Sequence, residues 1–147
     1  MENKDPLLNA LDEVLRDFGC VAGTIHVLDD STGVMRLAAH RGIPETVIDK
    51  VRNVPIGKGM AGLAAERREP VQVCNLKTDT SGVAKPTARQ TKMAGSIAAP
   101  MLTEEGTLKG TIGIAKPVPY DFTQVECDRV MRSGTRIAEQ LVNAVKT

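Results

Sequence analysis

The chain is short of aromatic rings: its 147 residues include no tryptophan, one tyrosine and two phenylalanines, 2% in all. Ring-shaped ligands and unstacked bases are usually gripped by aromatic faces, so any ligand has to be held mainly by aliphatic packing and backbone groups. Cysteines are few and odd in number. Cys20, Cys74 and Cys127 lie far apart with no C-x-x-C pair, which argues against a disulfide framework and a sequence-local zinc site. Buried, reduced thiols packing like small hydrophobes are the expectation. An excess of one charge is also missing: 19 Lys and Arg stand against 18 Asp and Glu, a net charge of +1. Such a balance offers no footprint for a phosphate backbone or an anionic membrane, so neither nucleic acid nor membrane is an expected partner. No apolar run reaches the length of a bilayer crossing, and the opening MENKDPLLNALDEVL carries acidic residues at helical spacing rather than an export signal. The expected location is the cytoplasm.

What is present is the balance of an ordinary folded domain, 41% hydrophobic and 25% charged, and a single domain over residues 1–147 is predicted. From Pro6 to Phe18 the residues Leu7, Leu8, Leu11, Val14, Leu15 and Phe18 recur at steps of three and four, with Pro6 suited to a first turn and Gly19 to a stop. One amphipathic helix follows from that spacing. Two short runs, 22–29 and 34–40, bracket the turn formers Asp30-Ser31-Thr32-Gly33 and read as a β-hairpin. Val47, Ile48 and Val51 fit a short helix begun near Pro44, interrupted by Pro55 and the glycines of IGKGMAG. Residues 60–68 look helical, 71–74 strand-like, and 75–95 form a long polar loop with one helical turn near 87–91. Segments 96–102 and 107–116 flank Thr103-Glu104-Glu105-Gly106 as a second hairpin. A final helix begins near Thr123, with Glu126 three residues on as its capping-box partner. Its stripe is Val130, Gly134, Ile137, Leu141 and Val145, widened by Ala138 and Val142, and Gly134 marks a close approach or bend. The order of elements predicts an antiparallel sheet with the terminal helices on one face and irregular segments on the other.

In order along the chain, GTIHVLDDSTG, HRGIP, VPIGKGMAGLAAERREPVQV, MAGSIAAPMLTEEGTLKGTIGIAKP and FTQVECDRV resemble the GAF family over almost the whole length. The resemblance implies an α/β fold of the α+β type: a six-stranded antiparallel sheet, N- and C-terminal helices on one face, and a cavity on the other roofed by loops and short helices. Strand alternation then sorts the side chains. Ile25 and Val27 suit the helix-packed side, whereas Thr24 and His26 point to the cavity; Ser96 and Ala98 oppose Ile97 and Ala99, and Gly113 and Ala115 oppose Ile112 and Ile114. Small groups carpet one surface and leave room for a ligand. Met60, Val73 and Met93 are the roof residues that meet this space, and Asn75, Lys85 and Thr87 are further candidate contacts from the loop.

Catalytic relatives of this fold are the free methionine sulfoxide reductases, whose attacking thiolate needs a reactive cysteine within reach of the cavity. Where that pattern places one cysteine this chain has Ala61, the region around Arg89 has none, and the acidic positions are Ser96, Gly113 and Ala115. Turnover is not expected. The glycines Gly57, Gly59 and Gly62 spell G-x-G-x-x-G, but an antiparallel context makes them a tight turn into a helix rather than a dinucleotide site. His26 and His40 share one hairpin; a turn centred between Ser31 and Thr32 sets His26 opposite Leu37 and His40 on the other face, while a one-residue shift puts both on one face. No metal is expected in either register. A phytochrome-type bilin cysteine, the N-K-x-F-x-D-E signature of the phosphodiesterase-type domains and a roof-loop histidine for haem are all missing, and no cofactor is predicted.

The reading is thus a non-catalytic sensor for signal transduction, in which an unidentified small molecule orders the long loop and thereby biases the terminal helices. The alternative is an interaction module without ligand, a homodimer through the terminal helices that uses Val130, Ile137 and Leu141 with Leu7, Leu11 and Val14.

Overall fold

The computed structural model describes residues 5–146, and their side chains other than those at 86, 87, 89, 145 and 146. Helix α1, Pro6–Phe18, starts where Asp5 accepts the N–H groups of Leu7 and Leu8, and it stops at Gly19, whose φ of 63° closes the end in the left-handed conformation. Strands β1 (Ala22–Asp29) and β2 (Val34–Arg41) form the first hairpin, and the short α2 (Glu45–Ile48) leads into β3 (Asn53–Pro55). Helix α3 (Gly59–Arg67) and strand β4 (Val71–Val73) precede a 3-10 turn at Pro86–Thr91. The second hairpin is β5 (Ser96–Leu102) with β6 (Leu108–Ala115), and α4 (Gln124–Lys146) completes the order.

All strands pair antiparallel in one sheet ordered β3-β2-β1-β6-β5-β4. The expected six strands are present, but β3 was not foreseen: three residues ending in a proline carry almost no alternation, and proline is tolerated there because β3 is an edge strand. A register shift between Ile25 and His26 leaves Ala38 as the extra residue of β2, so His26 sits opposite Leu37 while Thr24 sits opposite His40. Both registers anticipated for the hairpin therefore occur, one on each side of the bulge. His40 consequently shares the face of Thr24 rather than lying on the other.

One face of the sheet carries the main core. Leu11, Val14, Leu15 and Phe18 of α1 and Val130, Ile137 and Ala138 of α4 pack on Ile25, Ile97, Ala99, Met101, Ile112 and Ile114. Burial of a side chain of this size contributes about 1.5–3 kcal/mol, so this layer dominates the stability. A Cβ placed on Gly134 would lie 2.9 Å from the carbonyl oxygen of Pro100, which is why the helix has no side chain at that point of contact. The start of α4 is a closed capping box: Glu126 N–H donates to Thr123 Oγ1 at 3.2 Å and Thr123 N–H to a Glu126 carboxylate oxygen at 2.9 Å.

Val130, Ile137, Leu11 and Val14 are buried against their own sheet, and Leu7 and Leu141, partly buried, lean on the same core, so much of the stripe named for a second copy is core packing within one chain. Val145 belongs to the side chains outside the described set. No helix among the described residues is long and apolar enough to cross a membrane.

Candidate functional site

The other face of the sheet is covered incompletely. Between it and the layer made by α2, α3 and the loop 75–95 lies a cavity of about 200 Å³. Its floor holds Thr24, His26, Ser96, Ala98, Gly113 and Ala115. Gly113 lies between Thr24 on one side and Ala98 on the other, so the centre of the floor bears only small groups. Val47, Val51 and Val54 form an aliphatic wall, Met60 and Ala61 of α3 a second, and Leu76, Ala88 and Met93 the roof. Three lysines complete the boundary: Lys50 beyond α2, Lys58 ahead of α3 and Lys85 in the loop. Among the described residues the lining holds no carboxylate and no cysteine, phenylalanine or tyrosine.

Local sequence explains the frame. Gly57 and Gly59 have φ of 93° and 68°, and a Cβ on Gly62 would meet Pro55 O at 2.5 Å, so all three glycines are needed to fold the turn that delivers Met60 to the cavity. Gly57 N–H donates to Gly62 O at 2.8 Å, which closes the turn on itself. The loop is fastened at its end, where Ala94 N–H donates to Lys116 O and Leu76 N–H to Ala94 O, both at 2.8 Å. Across the roof, Lys50 Nζ donates to Gln90 Oε1 at 3.2 Å.

His26 is the one titratable floor residue and is only 3% exposed. Its Nε2 lies 2.8 Å from Val51 O, an atom that only accepts, so Nε2 carries the hydrogen. Burial holds the imidazole below its ordinary pKa, and the hydrogen bond to Val51 offsets this only in part. The neutral ring leaves Nδ1 as an acceptor, and this buried atom has no hydrogen-bond partner. Directly across the ladder on β6, Thr111 is equally buried and its Oγ1 also lacks a partner. Two unsatisfied polar atoms therefore occupy neighbouring positions of one sheet face, beside the cavity.

Of the residues singled out from the sequence, the cavity brings together Thr24, His26, Met60, Lys85, Met93, Ser96, Ala98, Gly113 and Ala115. Val73 shares the cavity-side face of β4, opposite Ser96, but does not line the space. Asn75 is also outside it, with Oδ1 accepting Lys77 N–H at 3.0 Å in a local turn. Thr87 falls in the 3-10 turn, and its side chain is outside the described set. Sequence reasoning missed Lys50, Lys58 and Thr91; basic residues flanking the short elements of the roof were the available signal for the lysines.

The thiols require a correction as well. Cys20 and Cys127 are buried as expected, but Cys74 is exposed, one residue past the edge strand β4. Burial pushes the Cys20 thiol up to about 11 and raises that of Cys127, while Cys74 is also shifted upward, by partial desolvation and then by the carboxylate of Asp121. None of the three lines the cavity.

A sheet with helices on one face and a roofed cavity on the other defines an α+β domain of the cavity-bearing type. Residues 5–144 match the GAF domain family, and the chain belongs to it. A comparison with curated proteins gave no match. Among solved structures, a domain of a candidate two-component sensor histidine kinase protein from Sinorhizobium meliloti is similar, with 21% identity, a TM-score of 0.73 and coverage of 94% of this chain and 90% of that one. The GAF domain of a phosphoenolpyruvate-protein phosphotransferase from Coxiella burnetii gives 20%, 0.72, 95% and 84% for the same quantities. The type II free methionine-R-sulfoxide reductase from Thermoplasma acidophilum gives 18%, 0.70, 90% and 87%. At these identities the likeness is one of fold.

Proposed function

We propose that this GAF domain is a ligand-binding regulatory module of cytoplasmic signal transduction that turns over no substrate. The observation that carries the reading is the cavity itself: an apolar space of about 200 Å³ with polar groups at a few points, on the sheet face that the terminal helices leave free. A ligand there touches the roof loop and the floor strands together. Those strands carry the terminal helices on their other face, so occupancy has a short path to the helix layer.

Against turnover stands the chemistry of the wall. Thiolate attack needs a cysteine of lowered pKa within reach, whereas all three thiols here are shifted upward and lie outside the cavity. Ala61 lines the position where reductases of this fold are expected to bear a cysteine.

Native mass spectrometry of freshly purified protein tests the reading, compared under gentle and denaturing conditions. A reproducible small added mass that is lost on denaturation is expected. A bare chain that no metabolite stabilises against heat would overturn it. Association of two copies through the terminal helices is the second reading; the observation in its favour is Val125, 67% exposed on α4, and light scattering that stays monomeric at high concentration removes it.

A further inference from the structure

The cavity selects by charge as well as by size. Lys50, Lys58 and Lys85 all line it, and among the described residues no carboxylate does. In a chain with 19 basic and 18 acidic residues, this is a local separation of charge that the overall balance conceals. Among the described residues none of these lysines is in an ion pair. The ion pairs found among the described residues use arginine, Arg36 with Asp29, Arg41 with Asp12 and Arg52 with Asp49, while Lys50 reaches only the neutral amide of Gln90.

Position strengthens the bias. Lys58 immediately precedes α3, whose first turn supplies Gly59, Met60 and Ala61 to the same lining. The first N–H groups of any helix lack intrahelical acceptors, and here no side chain of the preceding residue caps them. The stem of Lys85 runs over the same turn, 3.7 Å from where a Cβ on Gly59 would stand. A cation would meet three like charges and the positive end of a helix; an anion would meet the donors of three lysines and of that helix start.

Size narrows the class further. An apolar cavity of about 150 Å³ takes up benzene, so about 200 Å³ suits a molecule of roughly six to ten non-hydrogen atoms. The lining at Val47, Val51, Val54, Ala98 and Met93 is aliphatic and suits a hydrocarbon body rather than a second charged group.

Resting on the reading of the cavity as a ligand site, we infer that its occupant is a small organic carboxylate, with its hydrocarbon part against the aliphatic walls and its charge among Lys50, Lys58 and Lys85. Because these lysines come from three separate segments, one carboxylate joins the α2–β3 connection, the start of α3 and the roof loop. The test is calorimetric titration of the chain, emptied of any co-purified compound, with straight-chain carboxylates from butanoate to octanoate and with the matching alcohols and amines.

The carboxylates are expected to bind at least ~10-fold more tightly than alcohols and amines of equal length, with an advantage that shrinks as NaCl rises from about 50 to about 500 mM. In the double variant Lys58→Gln/Lys85→Gln, the advantage of the carboxylate over the alcohol of equal length is expected to be lost. Equal binding of carboxylate and alcohol would overturn the inference and leave the ligand-site reading intact, and so would a carboxylate preference that the double variant retains. Binding by no member of any series overturns both.

Discussion

The imidazole Nε2 of His26 donates to the carbonyl oxygen of Val51 across 2.8 Å, and this single bond ties the sheet floor to the segment that connects α2 with β3. It also fixes the tautomer of the ring, which burial favours in its neutral form, with one nitrogen paired and the other not. Floor, wall and a titratable group thus meet at one residue.

A pH dependence follows. Burial lowers the folded-state pKa of His26 from its ordinary 6.5, so the unfolded chain binds the proton more readily. This contribution to stability is intact above pH 6.5 and is lost as pH falls below it, with a slope of at most about 1.4 kcal/mol per pH unit until the folded ring itself protonates. Urea titrations between pH 8 and pH 5 on the wild type and His26→Gln should diverge in slope below that point. Parallel curves would mean that His26 titrates alike in both states.

Gly134 sets two rules against each other. Replacing glycine inside a helix by alanine ordinarily gains about 1 kcal/mol. Here the added Cβ would press on Pro100 O at 2.9 Å, and overpacking of this kind costs about 1–3 kcal/mol. Gly134→Ala is therefore expected to destabilise by ~1 kcal/mol in chemical denaturation. A gain would show that α4 can lift from β5 without loss.

Gly113 offers the opposite case, since its nearest neighbours to an added Cβ are Thr24 Oγ1 at 3.4 Å and Ile97 O at 3.8 Å. Valine fits the strand there and extends into the cavity. Gly113→Val should change the unfolding free energy by less than about 1 kcal/mol while abolishing ligand-induced thermal stabilisation. Retained stabilisation would place the ligand somewhere else.

The capping box at the head of α4 gives a fourth prediction. Thr123→Ala removes the acceptor of Glu126 N–H and should cost ~1 kcal/mol, read as a lower denaturation midpoint at unchanged slope.

Much of this architecture was legible because it is written in periods. The three- and four-residue steps of Leu7 to Phe18 yield α1 with its observed limits, and the alternation around Gly113 assigns β6 its two faces. Thr123 and Glu126 announce their box by spacing alone. The roof is different: β3 is three residues with a terminal proline, and Lys50 and Lys58 belong to turns whose direction depends on tertiary contacts. Nor does a period reveal what covers a stripe, and so Val130 and Ile137 read equally well as core or as interface until α4 is seen against β5.

The order of strands has a consequence for how the chain is made. The central pair of the sheet, β1 and β6, joins segments roughly 80 residues apart, and β5 and β4 are reached from β1 only through β6. Ribosomes add about 5–20 residues per second, so the nascent first hairpin waits several seconds with one edge unpaired before its partner emerges. Pairings this distant in sequence also slow folding, because loop closure has to come before the contacts that reward it. A chain truncated ahead of β6 would carry that open edge permanently, and it should be held by chaperones or aggregate rather than accumulate as a smaller folded domain.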